Sequence, residues 1–115
     1  MATLRQRRLS ELLRHEIASV LLRDDFHDPM LDNRAVIVSQ VDVSPDLSHA
    51  KIFVETLAGK NSDLAVKALN KLSGRIRHQI KPHLHIKRMP KLHFILDDSF
   101  EKADHLNRLI NQIKA

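Results

Sequence analysis

Between Leu64 and Leu96 stand eight Lys or Arg and four His, with no acidic residue among them. Lys67, Lys71, Arg75 and His78 recur at three- and four-residue steps, so a helix would carry them on one face. Arg77, Lys81, Lys87, Arg88 and Lys91 extend the run. The carboxylates gather elsewhere, in Asp24 to Asp46 and again in Asp97 to Asp104. Charge segregated in this way makes a one-signed field that attracts phosphate, and a net charge of +5 points the same way. The chemistry implied is the binding of a polyanion, with Arg5, Arg7 and Arg8 reaching neighbouring phosphates from the N-terminus. A solvated basic face with no partner is the alternative, and the segregation argues for nucleic acid over it.

Bond-making chemistry has little to stand on. Only two glycines are present, Gly59 and Gly74, and neither opens a phosphate-cradling loop. There is no G-x-S-x-G elbow and no H-E-x-x-H helix. The chain has no cysteine, so it has no thiol nucleophile, no disulfide and no Cys-based zinc site. Asp24, Asp25 and Asp28, with His27 between them, could hold a divalent ion by the carboxylate oxygens, but calcium-loop spacing is absent and a solvated loop explains them. His83 and His85 stand two apart, as neighbours on one strand face would, with His78 and His93 nearby. A tight metal site needs three or four converging ligands. Their place in the acid-free segment favours an extension of the basic surface, so neither metal nor cofactor is expected.

These side chains must be held by a domain of ordinary make-up: 115 residues, 43% apolar and 29% charged. That length fits one domain over residues 1–115, with a radius of gyration of roughly 13 Å. No apolar run approaches the roughly 20 residues of a membrane span. The stretch MATLRQRR lacks the apolar core of a secretory signal, which leaves a cytoplasmic protein as the expectation.

Leu9, Leu12, Leu13, Ile17, Val20 and Leu21 form a helical stripe within about Leu4 to Leu22, ended by the Asp28-Pro29 loop. Ala35 to Val43 is rich in β-branched residues and reads as a strand. Ser44-Pro45-Asp46 is a turn, and His49 to Leu57 alternates as a second, antiparallel strand. Asn61 or Ser62 caps a helix carrying Ala65, Leu69, Leu72, Ile76 and Ile80, interrupted at Ser73-Gly74. Pro82 closes it. A third strand is expected within His85 to Leu96, and Ser99 caps a last helix striped by Leu106, Leu109, Ile110 and Ile113. The order is helix, strand, strand, helix, kink, helix, strand, helix, an α+β sandwich with three strands. Phe53 and Phe94 are taken as core residues, which disfavours base stacking and favours recognition of folded RNA through its phosphates.

The hairpin VSQVDVSPDLSHAKIFVETL, Val38 to Leu57, resembles the sheet region of the ribosome-binding factor A family of bacterial small-subunit assembly factors. The likeness continues in Arg8, Glu16, Ile17 and Asp28-Pro29 upstream. Downstream it includes Gly74, Ile76-Arg77, Pro90, Leu92, Phe94, Asp97, Ser99 and Leu109-Ile110. The resemblance implies a type II KH-like domain in which an Ala-x-Gly kink replaces the G-x-x-G loop, a place held here by Leu72-Ser73-Gly74. Lys87 stands where the family commonly has Arg, keeping charge without the planar fork. Lys91 stands where it often has Glu, making the patch more basic.

The family likeness implies a non-enzymatic factor that binds 16S rRNA within the free 30S subunit rather than the 70S ribosome. It would assist late maturation, including processing of the 5′ end of the precursor rRNA, and matter most in the cold. A monomer is expected. The rival readings are a generic basic RNA-binding or protein-interaction module and a metal-dependent nuclease using Asp24, Asp25 and Asp28.

Overall fold

The computed structural model describes residues 2–23, 26–29, 31–32, 35–57 and 62–114, and in the last helix the side chains of 106–113. Helix α1 spans Leu4–Arg23, with Leu9, Leu13, Ile17, Val20 and Leu21 buried along one side. A reciprocal pair of hydrogen bonds sets its start. The Gln6 N–H donates to Thr3 Oγ1 at 3.2 Å, and the Thr3 N–H donates to Gln6 Oε1 at 2.7 Å, which satisfies two backbone donors at a helix N-terminus. Gln6 is itself buried, and its Nε2 donates to the Val43 carbonyl at 2.9 Å. One side chain thus closes the helix and ties it to the sheet.

Strand β1 (Val36–Val43) pairs antiparallel with β2 (His49–Thr56), and β2 pairs parallel with β3 (Lys91–Leu96) in the order β1-β2-β3. The register shifts between Val38 and Gln40. This bulge matters, because strict alternation cannot put both Val36-Val38 and Val41-Val43 on one face. With Ser39 as the extra residue all four valines are buried. The Ser39 hydroxyl holds the bulge, at 3.2 Å from the Phe53 carbonyl and 2.5 Å from Asp97 Oδ2.

The β1–β2 turn is organised by Asp46. Its Oδ1 accepts from the Ser44 and Ser48 hydroxyls at 2.7 Å each and from the Ser48 N–H at 3.1 Å. These donors stabilise the charged form and hold the carboxyl down to about 2.

Helices α2 (Ser62–Lys71) and α3 (Ser73–Ile80) lie on the same sheet face as α1, burying Ala65, Ala68, Leu69, Ile76 and Ile80 against Ala50, Ile52, Val54, Leu92 and Phe94. The break between them falls at Leu72, one residue before the expected Ser73-Gly74. There the Leu72 N–H is shared between the Ala68 and Leu69 carbonyls. Gly74 sits inside the first turn of α3, and a Cβ built on it meets nothing within 4 Å. No close approach therefore demands glycine at that position.

Some expectations need correction. Phe94 is core, but Phe53 lies on the opposite sheet face and is only half-buried, because it alternates with Ile52 and Val54. The third strand begins at Lys91, within the expected His85 to Leu96 and directly after Pro90. His83 belongs to a short 3-10 turn at Lys81–His83, and His85 has φ 50°, so these two histidines do not share a strand face. The expected apolar stripe of α4 (Ser99–Lys114) faces outward. Leu106, Leu109, Ile110 and Ile113 are all exposed, the last at 83%. The chain is elongated, 57 × 38 × 18 Å with a radius of gyration of 15.9 Å, well above the expected value. Asp24, Asp25 and Asn61 lie outside the described residues, as do the metal and capping expectations that rest on them.

Candidate nucleic-acid interface

The α2–α3 rod presents Lys67, Lys71, Arg75, His78 and Lys81 as exposed side chains. Lys67 and Lys71 stand two residues either side of the buried Leu69, and His78 stands between the buried Ile76 and Ile80, so packing fixes the backbone while these side chains stay in water. Arg75 is partly engaged: its guanidinium carbon lies 5.0 Å from the centroid of the buried Phe26 ring. This cation–π contact ties the segment after α1 to the rod.

Arg77 behaves differently from its neighbours. It is half-buried, its Nη2 donates to the Met89 carbonyl at 2.9 Å, and its Nε is buried without a hydrogen-bond partner. Met89 and Pro90 are themselves buried. Arg77 therefore anchors the segment that carries Lys87 and Arg88, and its guanidinium is directed at protein. Ser73, Gly74 and Arg77 line one cleft with Lys91 and His93, and Gly74, Arg77, His78 and Lys81 line a second. The kink is thus surrounded by cations without being one.

Asn70 holds the far wall of the first cleft. Its Nδ2 donates to the Phe94 carbonyl at 2.9 Å, and its Oδ1 accepts from the Phe94 N–H at 2.8 Å. A side chain here pairs the backbone of an edge strand that would otherwise stand open.

A second cluster forms at the end of α1. Arg5 lines a cleft with Lys87 and Arg88 beside Asp46 and Leu47. Three elements meet there that lie far apart in sequence. Arg8 is one turn from Arg5 and shares its side of the helix, whereas Arg7 faces a depression with Glu11, Gln40 and Asp42. The expected cations are therefore distributed as a helical group, a terminal group and Arg7 apart. Sequence reasoning missed Gln6 and Asn70 as positioning residues. Thr3-x-x-Gln6 is legible as a capping box, but nothing local signals that Asn70 meets Phe94.

Among the described residues no group of three or more His, Asp or Glu converges as a metal site, and no helix is long and apolar enough to cross a membrane.

Comparison with known proteins agrees with this architecture. The family model described as ribosome-binding factor A matches residues 5–110. A protein of that name from Thermomicrobium roseum is 44% identical over 99% of this chain and 87% of its own length. Another from Paracoccus denitrificans is 38% identical over 94% of this chain and 78% of its own. The crystal structure of ribosome-binding factor A from Thermus thermophilus superposes with a TM-score of 0.68 at 23% identity, covering 79% of this chain and 93% of that one. A homology model of the Thermus thermophilus factor, fitted into a cryo-EM map of its complex with 30S, gives 0.63 at 22% identity over the same shares. The fold is thus of the KH-like kind found in those structures, four helices and a three-stranded mixed sheet. With the match spanning nearly every element described above, the chain belongs to the ribosome-binding factor A family.

Proposed function

We propose that residues 1–115 act as one KH-like RNA-binding domain that associates with 16S rRNA in the free 30S subunit in preference to the 70S ribosome. It assists late maturation there, including processing of the 5′ end of the precursor rRNA. The role is non-catalytic, and the protein works as a cytoplasmic monomer. The observation that carries the reading is the acid-free segment from Leu64 to Leu96, folded so that Lys67, Lys71, Arg75, His78 and Lys81 are exposed along one rod. Arg5, Arg8, Lys87 and Arg88 add a second group, and Lys91 lies at the rim of the kink cleft. Arg77 contributes by holding the Lys87-Arg88 segment in place.

Co-sedimentation with free small subunits and with whole ribosomes across a salt series tests this. Neutralising some five phosphates gives a slope of log K against log salt near −4. Binding confined largely to free subunits is the expected result; equal binding to both, or a slope near zero, overturns it. The double substitution Lys67→Glu plus Lys71→Glu should weaken binding while leaving the fold intact, since both side chains are exposed. Arg77→Glu is a poorer probe, because it breaks the bond to Met89.

One observation favours a protein contact in addition. The stripe of α4, Leu106, Leu109, Ile110 and Ile113, is exposed along its length. Sedimentation equilibrium separates self-association through that stripe from a monomer.

A further inference from the structure

The three helices cover one face of the sheet and leave the other open. On the open face the parallel register sets His49 beside Lys91, Lys51 beside His93 and Phe53 beside Ile95. Four of these six side chains are cationic or imidazole, and His49, Lys51, Lys91 and His93 are all exposed. The other two are apolar and half-buried, with the Phe53 ring next to the Lys51 row. His49 Nδ1 and His93 Nε2 lie 3.0 Å apart, with ring centroids 5.2 Å apart and an interplanar angle of 26°. The imidazoles form a stacked, hydrogen-bonded pair on the same sheet face as Phe53. The acids of this face stand at its borders: Asp42, which accepts from the Gln40 amide and lies opposite Lys51 on β1, and Glu55 beyond Phe53.

We propose that the open face of β2 and β3 is a second RNA surface, a platform for single-stranded RNA that meets the helical rod only at the kink cleft, where Lys91 and His93 form its rim. The proposal rests on the RNA-binding reading above and extends it to a new surface. Flat aromatic groups interleaved with cations on an exposed sheet suit unpaired nucleotides, whose bases offer a π-face and whose phosphates offer charge. A duplex hides those base faces. A metal ion at the His49–His93 pair is opposed by Lys51 and Lys91 on either side, whereas phosphate is favoured by the same two charges. Since the helical cations and this face lie on opposite sides of a two-layer sandwich, one molecule engages folded RNA through the rod and a single strand through the sheet.

The test is fluorescence anisotropy with a fluorescein-labelled, non-self-complementary RNA octanucleotide, read beside small-subunit co-sedimentation of the same proteins. Lys51→Glu should weaken octanucleotide binding roughly tenfold and Phe53→Leu roughly fivefold, while His15→Glu, on the exposed side of α1, stays within about twofold of the parent. Lys51 is exposed, so its variant remains informative even if Phe53→Leu proves unstable in a thermal melt. The proposal is overturned if the parent does not bind the octanucleotide, if Lys51→Glu binds it as the parent does, or if His15→Glu loses as much as Lys51→Glu. Failure of the subunit reading shows instead as loss of co-sedimentation by the parent, whatever the octanucleotide does.

Discussion

Helices α1 and α4 carry the same kind of signal in sequence, Leu and Ile at three- and four-residue steps, and meet opposite fates. Leu13, Ile17 and Val20 of α1 are 0% exposed, whereas Leu109 and Ile110 of α4 are 42% and 39% exposed. A periodic stripe shows that a helix has an apolar side; it does not name the surface that receives it. The α1 stripe meets the four valines of β1, which the bulge at Ser39 turns to a single face. By the time the chain reaches α4, that face is occupied by α1, α2 and α3. The face left over is mostly polar, with His49, Lys51, Lys91 and His93 beside the half-buried Phe53 and Ile95.

The sharpest way to break this comparison is to truncate one residue from each stripe. Ile17→Ala should cost about 3 kcal/mol in chemical denaturation, through lost burial and the cavity left behind. Ile110→Ala should stay within about 0.5 kcal/mol of the parent, as surface changes do. Equal losses would mean that the α4 stripe is buried in solution.

A smaller effect tests how α1 is tied down. Gln6→Ala removes the half of the cap that accepts from the Thr3 N–H and leaves the Val43 carbonyl without its side-chain donor, which should lower stability by about 2 kcal/mol. Loss of only a few tenths in the same denaturation experiment would remove Gln6 from this role. Smaller again, and opposite in sign, is Gly74→Ala. With no atom near the added methyl, the helix preference of alanine should raise stability by up to about 1 kcal/mol. A fall would show that glycine is needed at the kink.

The smallest effect is at the β1–β2 turn. The depressed Asp46 carboxyl contributes stability that is complete above the ordinary carboxylate range and is lost as pH falls towards about 2. An Asp46→Asn variant should therefore differ from the parent at neutral pH and converge with it in strong acid. A carboxyl carbon titrating near 4 by NMR would contradict the turn geometry.

Much of the fold was legible before any coordinates. The stripe of α1, the Ser44-Pro45-Asp46 turn and the alternation of Ala50, Ile52 and Val54 all appear within short windows, and each window reports one element's own period. The same alternation already set Phe53 with Lys51, yet residue type alone suggested a core phenylalanine. The third strand was legible in the alternation of Leu92, Phe94 and Leu96, with Pro90 at its entering end. Pro90, lacking an N–H, and the turn at Lys81–His83 delay pairing until Lys91. Among the cations, charge segregation pointed to the whole acid-free segment but could not separate Arg77 from Lys81. Only the carbonyl of Met89, twelve residues on, commits one of them to the interior.

The amino-acid sequence by itself determined the order of the elements, the basic segment between two acidic ones, and the absence of thiol chemistry, because these depend on residue type and near spacing. The tertiary structure alone decided which stripe is buried, which arginine is spent on the protein, and which histidines and lysines meet across β2 and β3. Those outcomes depend on distant segments competing for one sheet face and on a parallel register that no local window contains.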